Sequence, residues 1–214
     1  MATGAERTQR DLVAILRLAY SGELAAGYAY RGHWRSVSDP EERLRIQSIE
    51  EEESHHRRLI GTMLETLGVP PSRTREVRAA LVGRTLGILC HVSGWLAPMY
   101  GAGRLESRNI REYEVAARLA WSCGRTEWVD CLLGMAEVEW EHERYFRSHV
   151  LTHRLGRRLP TWPLPPPKES IRAAFERETG AKLNEGLGNS APLAVAWGAR
   201  RSAPSPMAFR HAGA

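Results

Sequence analysis

The sequence predicts an all-α protein: a four-helix bundle over residues 8–152, followed by a Pro-rich, partly disordered C-terminal tail over 153–214. Three observations predict it. Apolar residues recur at alternating steps of three and four in four long segments, the spacing that lines one face of a helix. Capping residues and breakers separate those segments. After residue 153 the composition shifts to proline, glycine, serine and arginine.

The first helix is expected from about Gln9 to Ser36, with Thr8 and Asp11 as a capping box and the stripe Leu12, Leu16, Ala19, Glu23, Ala26, Tyr30. The second begins with Asp39 as cap, Pro40 at its first position and Glu42 at its third, and stops at Gly68 ahead of Pro70 and Pro71. Its stripe is Ile46, Ile49, Glu53, His56, Ile60, Met63, Leu67. Ser72 opens the next helical stretch, which carries a 19-residue uncharged run from Thr85 to Gly103. His91, Ser93, Pro98 and four glycines dilute that run, so it predicts a buried or membrane-surface helix kinked near Pro98 rather than a membrane span. The helix continues through the stripe Met99, Ala102, Glu106, Ile110, Tyr113, Ala117 to about Trp121, and Gly124 ends it. Thr126 is the expected cap of the last bundle helix, whose stripe is Trp128, Leu132, Met135, Glu139, His142, Phe146, His149. Beyond it, residues 154–167 hold five prolines and read as an extended strap; Ser170 to Thr179 read as one short helix, and the chain from Gly180 as poorly ordered.

Chemistry enters through Glu-x-x-His. The pairs Glu53/His56 and Glu139/His142 each fall in the middle of an apolar stripe. A buried carboxylate and imidazole one turn apart are costly unless something neutralises them, and a metal cation does. Bundled di-metal carboxylate sites take one further Glu from each of the two remaining helices. Glu23 and Glu106 are the lone acids of those stripes. The candidate metal ligands are therefore Glu23, Glu53, His56, Glu106, Glu139 and His142, an oxygen-rich set suited to two iron ions, with manganese an alternative. A third Glu-x-x-His, Glu52/His55, lies one residue off the stripe and reads as solvent-facing or as a support to the ligands; its replacing Glu53/His56 stays open. Within the run Glu50 to Glu53, only Glu53 is expected on the apolar side.

The net charge of +5 is almost entirely arginine on polar helix faces. Without a finger, ribbon or basic-aromatic platform it does not point to nucleic acid, and it is compatible with peripheral contact to anionic lipid. Three cysteines without metal or disulfide spacing, and no secretory signal, predict a cytoplasmic protein that can lie at the inner face of the membrane.

The stretch Ala19-Tyr20-Ser21-Gly22-Glu23-Leu24-Ala25-Ala26 resembles the first-helix ligand motif of the demethoxyubiquinone hydroxylase family. Glu139-Trp140-Glu141-His142-Glu143 is similar to its fourth-helix motif, and Glu106 followed by Tyr113 resembles its third. The resemblance covers about residues 12 to 150. It implies a ferritin-like fold and a di-iron, dioxygen-dependent hydroxylase whose substrate is a prenylated quinol. It also implies an electron donor or reductase as partner. Glu53 and Glu139 would bridge the irons, His56 and His142 would hold one each, and Glu23 and Glu106 would complete opposite ends. The apolar stretch from Leu86 to Met99 is then a candidate wall for the isoprenoid tail, and Tyr113 a candidate catalytic residue that assists electron transfer or donates a hydrogen bond. Two other readings stay open: a ferritin-like iron-handling, ferroxidase or peroxide-reducing protein, and a metal-free helical scaffold. A homo-oligomer is also open.

Overall fold

The computed structural model describes residues 3–183. They form six α-helices and, among the described residues, no strand: α1 (Gly4–Ser36), α2 (Pro40–Thr66), α3 (Arg73–Leu89), α4 (Leu96–Ser122), α5 (Val129–Thr152) and α6 (Glu169–Thr179). The expected disorder beyond Leu183 lies outside the described residues.

Helix α1 starts five residues earlier than its periodicity suggests. Thr3, not Thr8, is the cap: its hydroxyl accepts from the Glu6 N–H while the Glu6 carboxylate accepts from the Thr3 N–H, so two orphan donors are met reciprocally. Thr8 instead donates to the Gly4 carbonyl one turn back. Asp39 caps α2 as expected, accepting from the N–H groups of Glu41 and Glu42, and Pro40 leads the helix. Gly68 takes φ +67° just past its end, a conformation that favours glycine.

The uncharged run is not one kinked helix. It divides between the end of α3 and the start of α4, with turns over residues 90–95 and Gly94 at φ +75°. Pro98 introduces no kink because it lies in the first turn of α4, where a backbone N–H has no intrahelical acceptor to lose. Nor is the run buried throughout: Met99 is buried, but Ile88 and Val92 are exposed. No described helix is long and apolar enough to cross a membrane.

Helix α3 therefore stands outside the four ligand-bearing helices and lies along α1. Glycine permits that approach. A methyl group on Gly83 would come within 2.4 Å of the Ala25 carbonyl oxygen, and one on Gly32 within 2.2 Å of the Gly87 carbonyl oxygen, so no side chain fits at this crossing. Thr126 begins a short 3₁₀ turn, Thr126–Trp128, and α5 follows directly from it at Val129 rather than being capped by Thr126.

After α5 the chain returns across the bundle. Trp162 packs into the space above Gly103 of α4, and its indole N–H donates to Glu143 of α5. Arg147 binds the same Glu143 oxygen and reaches the Trp162 and Pro163 carbonyls, which fastens the strap to α5. Ile171 and Phe175 of α6 enter the same apolar cluster as Leu12, Met63 and Leu132.

Candidate metal centre

All six candidate ligands converge in the middle of the bundle, from α1, α2, α4 and α5. Glu53, Glu106, Glu139 and His142 have no solvent exposure, His56 has 1% and Glu23 has 5%. They form two groups. In one, Glu23, Glu53, His56 and Glu139 each bring a ligand atom within 4.8 Å of the others; in the second, Glu53, Glu106, Glu139 and His142 do the same. Glu53 and Glu139 belong to both. The shared pair is what two adjacent cations bridged by carboxylates require.

The contacts follow that plan. His56 Nδ1 lies 3.0 Å from Glu139 and 3.9 Å from Glu23. His142 Nδ1 lies 3.1 Å from Glu53 and 3.8 Å from Glu139. The outer nitrogen of His142, Nε2, is paired with Glu52, which leaves Nδ1 facing the carboxylates. Glu52 is thus a support to a ligand, as one reading of its sequence position allowed. His55 is buried rather than solvent-facing and belongs to neither group. Glu50 is buried too, against the expectation that only Glu53 would be: Arg31 and the Trp34 indole N–H bind its carboxylate.

Two tyrosines complete the arrangement. Tyr113 on α4 donates to Glu23 on α1, and Tyr30 on α1 donates to Glu106 on α4. Each tyrosine stands seven residues after a candidate ligand on its own helix and serves the carboxylate of the opposite one. The sequence reading singled out Tyr113 and used Tyr30 only as a core position. The signal was present in the repeated Glu-x₆-Tyr spacing, two turns of helix. Asn109 adds a hydrogen bond of 3.0 Å to the other Glu106 oxygen.

Electrostatics make the cluster a costly one without a cation. Burial, reinforced by Glu53, pushes the Glu23 carboxyl well above its usual range, and burial with Glu139 does the same to Glu106. Burial also acts to raise Glu139, but the imidazoles of His142 and His56 beside it outweigh burial and hold that carboxylate below the usual range. Burial opposes charge on His142, yet Glu139, Glu52 and Glu53 raise its pKa well above that of a free imidazole. Several inward-facing atoms still make no hydrogen bond: Glu23 Oε2, both Glu53 oxygens, Glu139 Oε1 and His142 Nδ1. Orphaned buried oxygens and a nitrogen aimed at one another are an expensive arrangement in a protein core. Two divalent cations would balance the four carboxylates in charge and use those lone pairs, so the donor set fits such a pair.

Beside the centre, a cavity of about 420 Å³ opens between α1, α3 and α4. Its walls are almost wholly apolar, including Ala26, Leu86, Leu89, Pro98 and Leu105, and Tyr30 and His33 stand at its inner side.

Comparison with known proteins adds one finding. Residues 10–114 match the family of the ubiquinone biosynthesis protein COQ7. Over that span the chain is similar to the COQ7 family. The COQ7 match takes in Glu23, Glu53, His56, Glu106 and Tyr113 and stops before α5, so Glu139 and His142 join the centre through the fold alone. No curated protein and no solved structure matches the chain. The match supports a role in ubiquinone biosynthesis.

Proposed function

We propose that this protein is a di-iron, dioxygen-dependent hydroxylase acting on the ring of a prenylated quinol. The observation that carries the reading is the pair of buried Glu/His groups sharing Glu53 and Glu139, in a chain similar to the COQ7 family. When bound, two ferrous ions supply the two electrons that activate dioxygen, which one iron does not readily give.

The residues of the chain have separable tasks. Glu23 and His56 would hold one ion and Glu106 and His142 the other, with Glu53 and Glu139 available to both. Glu52 accepts from His142 Nε2 and fixes the tautomer that offers Nδ1 inward. Tyr113 and Tyr30 aim the two terminal carboxylates. Complete burial keeps bulk water from the reacting atoms. The apolar cavity matches an isoprenoid-bearing ring in size and polarity, and Leu86 and Leu89 in its wall come from the stretch expected to line it.

The exposed apolar residues of α3, among them Val77, Leu81, Val82 and Ile88, alternate with Arg73, Arg75, Arg78 and Arg84. That combination suits a helix resting on an anionic lipid surface, where a prenylated substrate would reside. The proposed chemistry would need a reductase or other electron donor as partner.

Metal analysis of protein purified without oxygen, followed by single-turnover assay with a short-chain quinol, tests the proposal. About two irons per chain and one hydroxylated ring product per di-iron unit are expected. Iron uptake with rapid oxidation of excess ferrous ion and no ring product would instead place the protein with ferroxidases. Absence of metal after iron-replete expression would leave a helical scaffold.

A further inference from the structure

The two halves of the centre mirror each other in residue type but not in surroundings. Tyr113 lies in the apolar core with its ring edge against His56, at 5.7 Å between centroids, and takes no part in the wall of the cavity beside α3. Tyr30 does line that cavity. None of the six candidate ligands lines it, and among its lining residues Tyr30 is hydrogen-bonded directly to one of them, Glu106. The ring is held by a parallel stack on Phe146, 5.8 Å between centroids at 6°.

The terminal carboxylates differ in the same sense. Glu106 has both oxygens engaged, one by Tyr30 and one by Asn109 at 3.0 Å. Glu23 has one oxygen bound by Tyr113, and its Oε2 makes no hydrogen bond. A displacement of the Tyr30 ring therefore reaches Glu106 directly. The Glu23 half has no comparable link to the cavity.

We infer that Tyr30 is a positioning residue that couples occupancy of the apolar cavity to the Glu106/His142 half of the centre, so that a ring-bearing apolar ligand is sensed at one metal position and not the other. The inference rests on the proposed di-metal reading. It assigns the two positions different roles: the Glu106/His142 position faces the organic ligand, and the Glu23/His56 position is set away from it. Tyr30 acts through Glu106, with its ring as cavity wall and its hydroxyl as the link.

The test separates wall from link. Full-length protein and its Tyr30→Phe and Tyr113→Phe variants are loaded with Co(II) under anaerobic conditions. Each is titrated with 2-decyl-1,4-benzoquinone while the Co(II) d–d absorption is followed, and tryptophan quenching reports binding independently. The parent and Tyr113→Phe are expected to change their d–d bands as the quinone saturates. Tyr30→Phe keeps the ring, so it should bind the quinone with a Kd within about threefold of the parent's, since the hydrogen bond removed is not made to the ligand. It should lose the band change, and its affinity for one of the two Co(II) ions should fall by about tenfold. Ala97→Phe, which narrows the cavity at its exposed rim, should abolish quinone binding and leave the Co(II) bands of the ligand-free protein as in the parent.

A full band change in Tyr30→Phe, or equal loss in both tyrosine variants, overturns the coupling while leaving the metal centre intact. Two bound Co(II) with no quinone binding by the parent overturns it as well. Failure of the parent to take up Co(II) overturns the metal reading itself and is read before any quinone is added.

Discussion

Acidic side chains are buried at the centre of this bundle, while branched apolar side chains of α3 are exposed. Glu53, Glu106 and Glu139 have no solvent exposure, whereas Val77 on α3 is 70% exposed and Val92 just beyond it 76%. Hydropathy alone would reverse the two. At the bundle centre four helices supply carboxylates and imidazoles to one another at ligand distances; on α3 glycines at the α1 crossing leave branched apolar side chains facing outward. The contrast teaches that burial here follows the partner available to each group. For the carboxylates that partner is one another, the imidazoles and, as proposed, cations; for the outer face of α3 it is, as proposed, a lipid surface.

The largest expected effect separates shared from terminal ligands. Glu53→Ala or Glu139→Ala should reduce metal content from about two ions per chain to none, while Glu23→Ala should leave about one, as read by elemental analysis. Equal loss in all three would mean that the two groups are not distinct positions.

Next comes a buried polar group away from the ligands. Burial holds the His33 imidazole down to about 4, below its ordinary 6.5. Its folded-state pKa is depressed, so the unfolded chain binds the extra proton first as pH falls. The stability associated with neutral His33 is complete above about pH 6.5, declines between there and about pH 4, and is absent below that, a difference on the order of a few kcal/mol. Urea unfolding across that window should show the slope in the parent and a reduced one in His33→Leu.

Smaller still is the helix crossing. Gly83→Leu places a side chain where a methyl already meets the Ala25 carbonyl oxygen, so α3 must lift from α1; thermal unfolding should report a loss of about 1–3 kcal/mol. The least effect on stability belongs to the outer face of α3. Ile88→Ser should change it by no more than about 0.5 kcal/mol and yet weaken binding to anionic lipid vesicles, measured by co-sedimentation.

Much of the centre was legible because ligand and apolar spacings share one helical period. Glu53 and His56 fall in phase with Ile49 and Ile60, and Glu139 and His142 with Met135 and Phe146, so side chains in phase with the core converge. Tyr30 was legible only as a core position because its role depends on a partner on another helix, and one-helix periodicity carries no information about which carboxylate its hydroxyl meets. The break between α3 and α4 was misplaced for a local reason. Pro98 suggests a kink wherever it stands, but its effect depends on whether its N–H was needed, and in the first turn it is not. The start of α1 was missed because Gly4 to Arg7 carry no apolar stripe and the cap at Thr3 had to stand by itself.

Because Glu139 on α5 belongs to both ligand groups, neither is complete in the first 128 residues, although those contain four of the six ligands. During synthesis the segments of α1, α2 and α4 are therefore made before either group can be complete. Both groups are thus completed by the same helix, α5, to which Arg147 and Glu143 fasten the strap. A polypeptide that ends before α5 would carry the whole span matched to the COQ7 family and yet, on the proposed reading, lack a complete position for either ion.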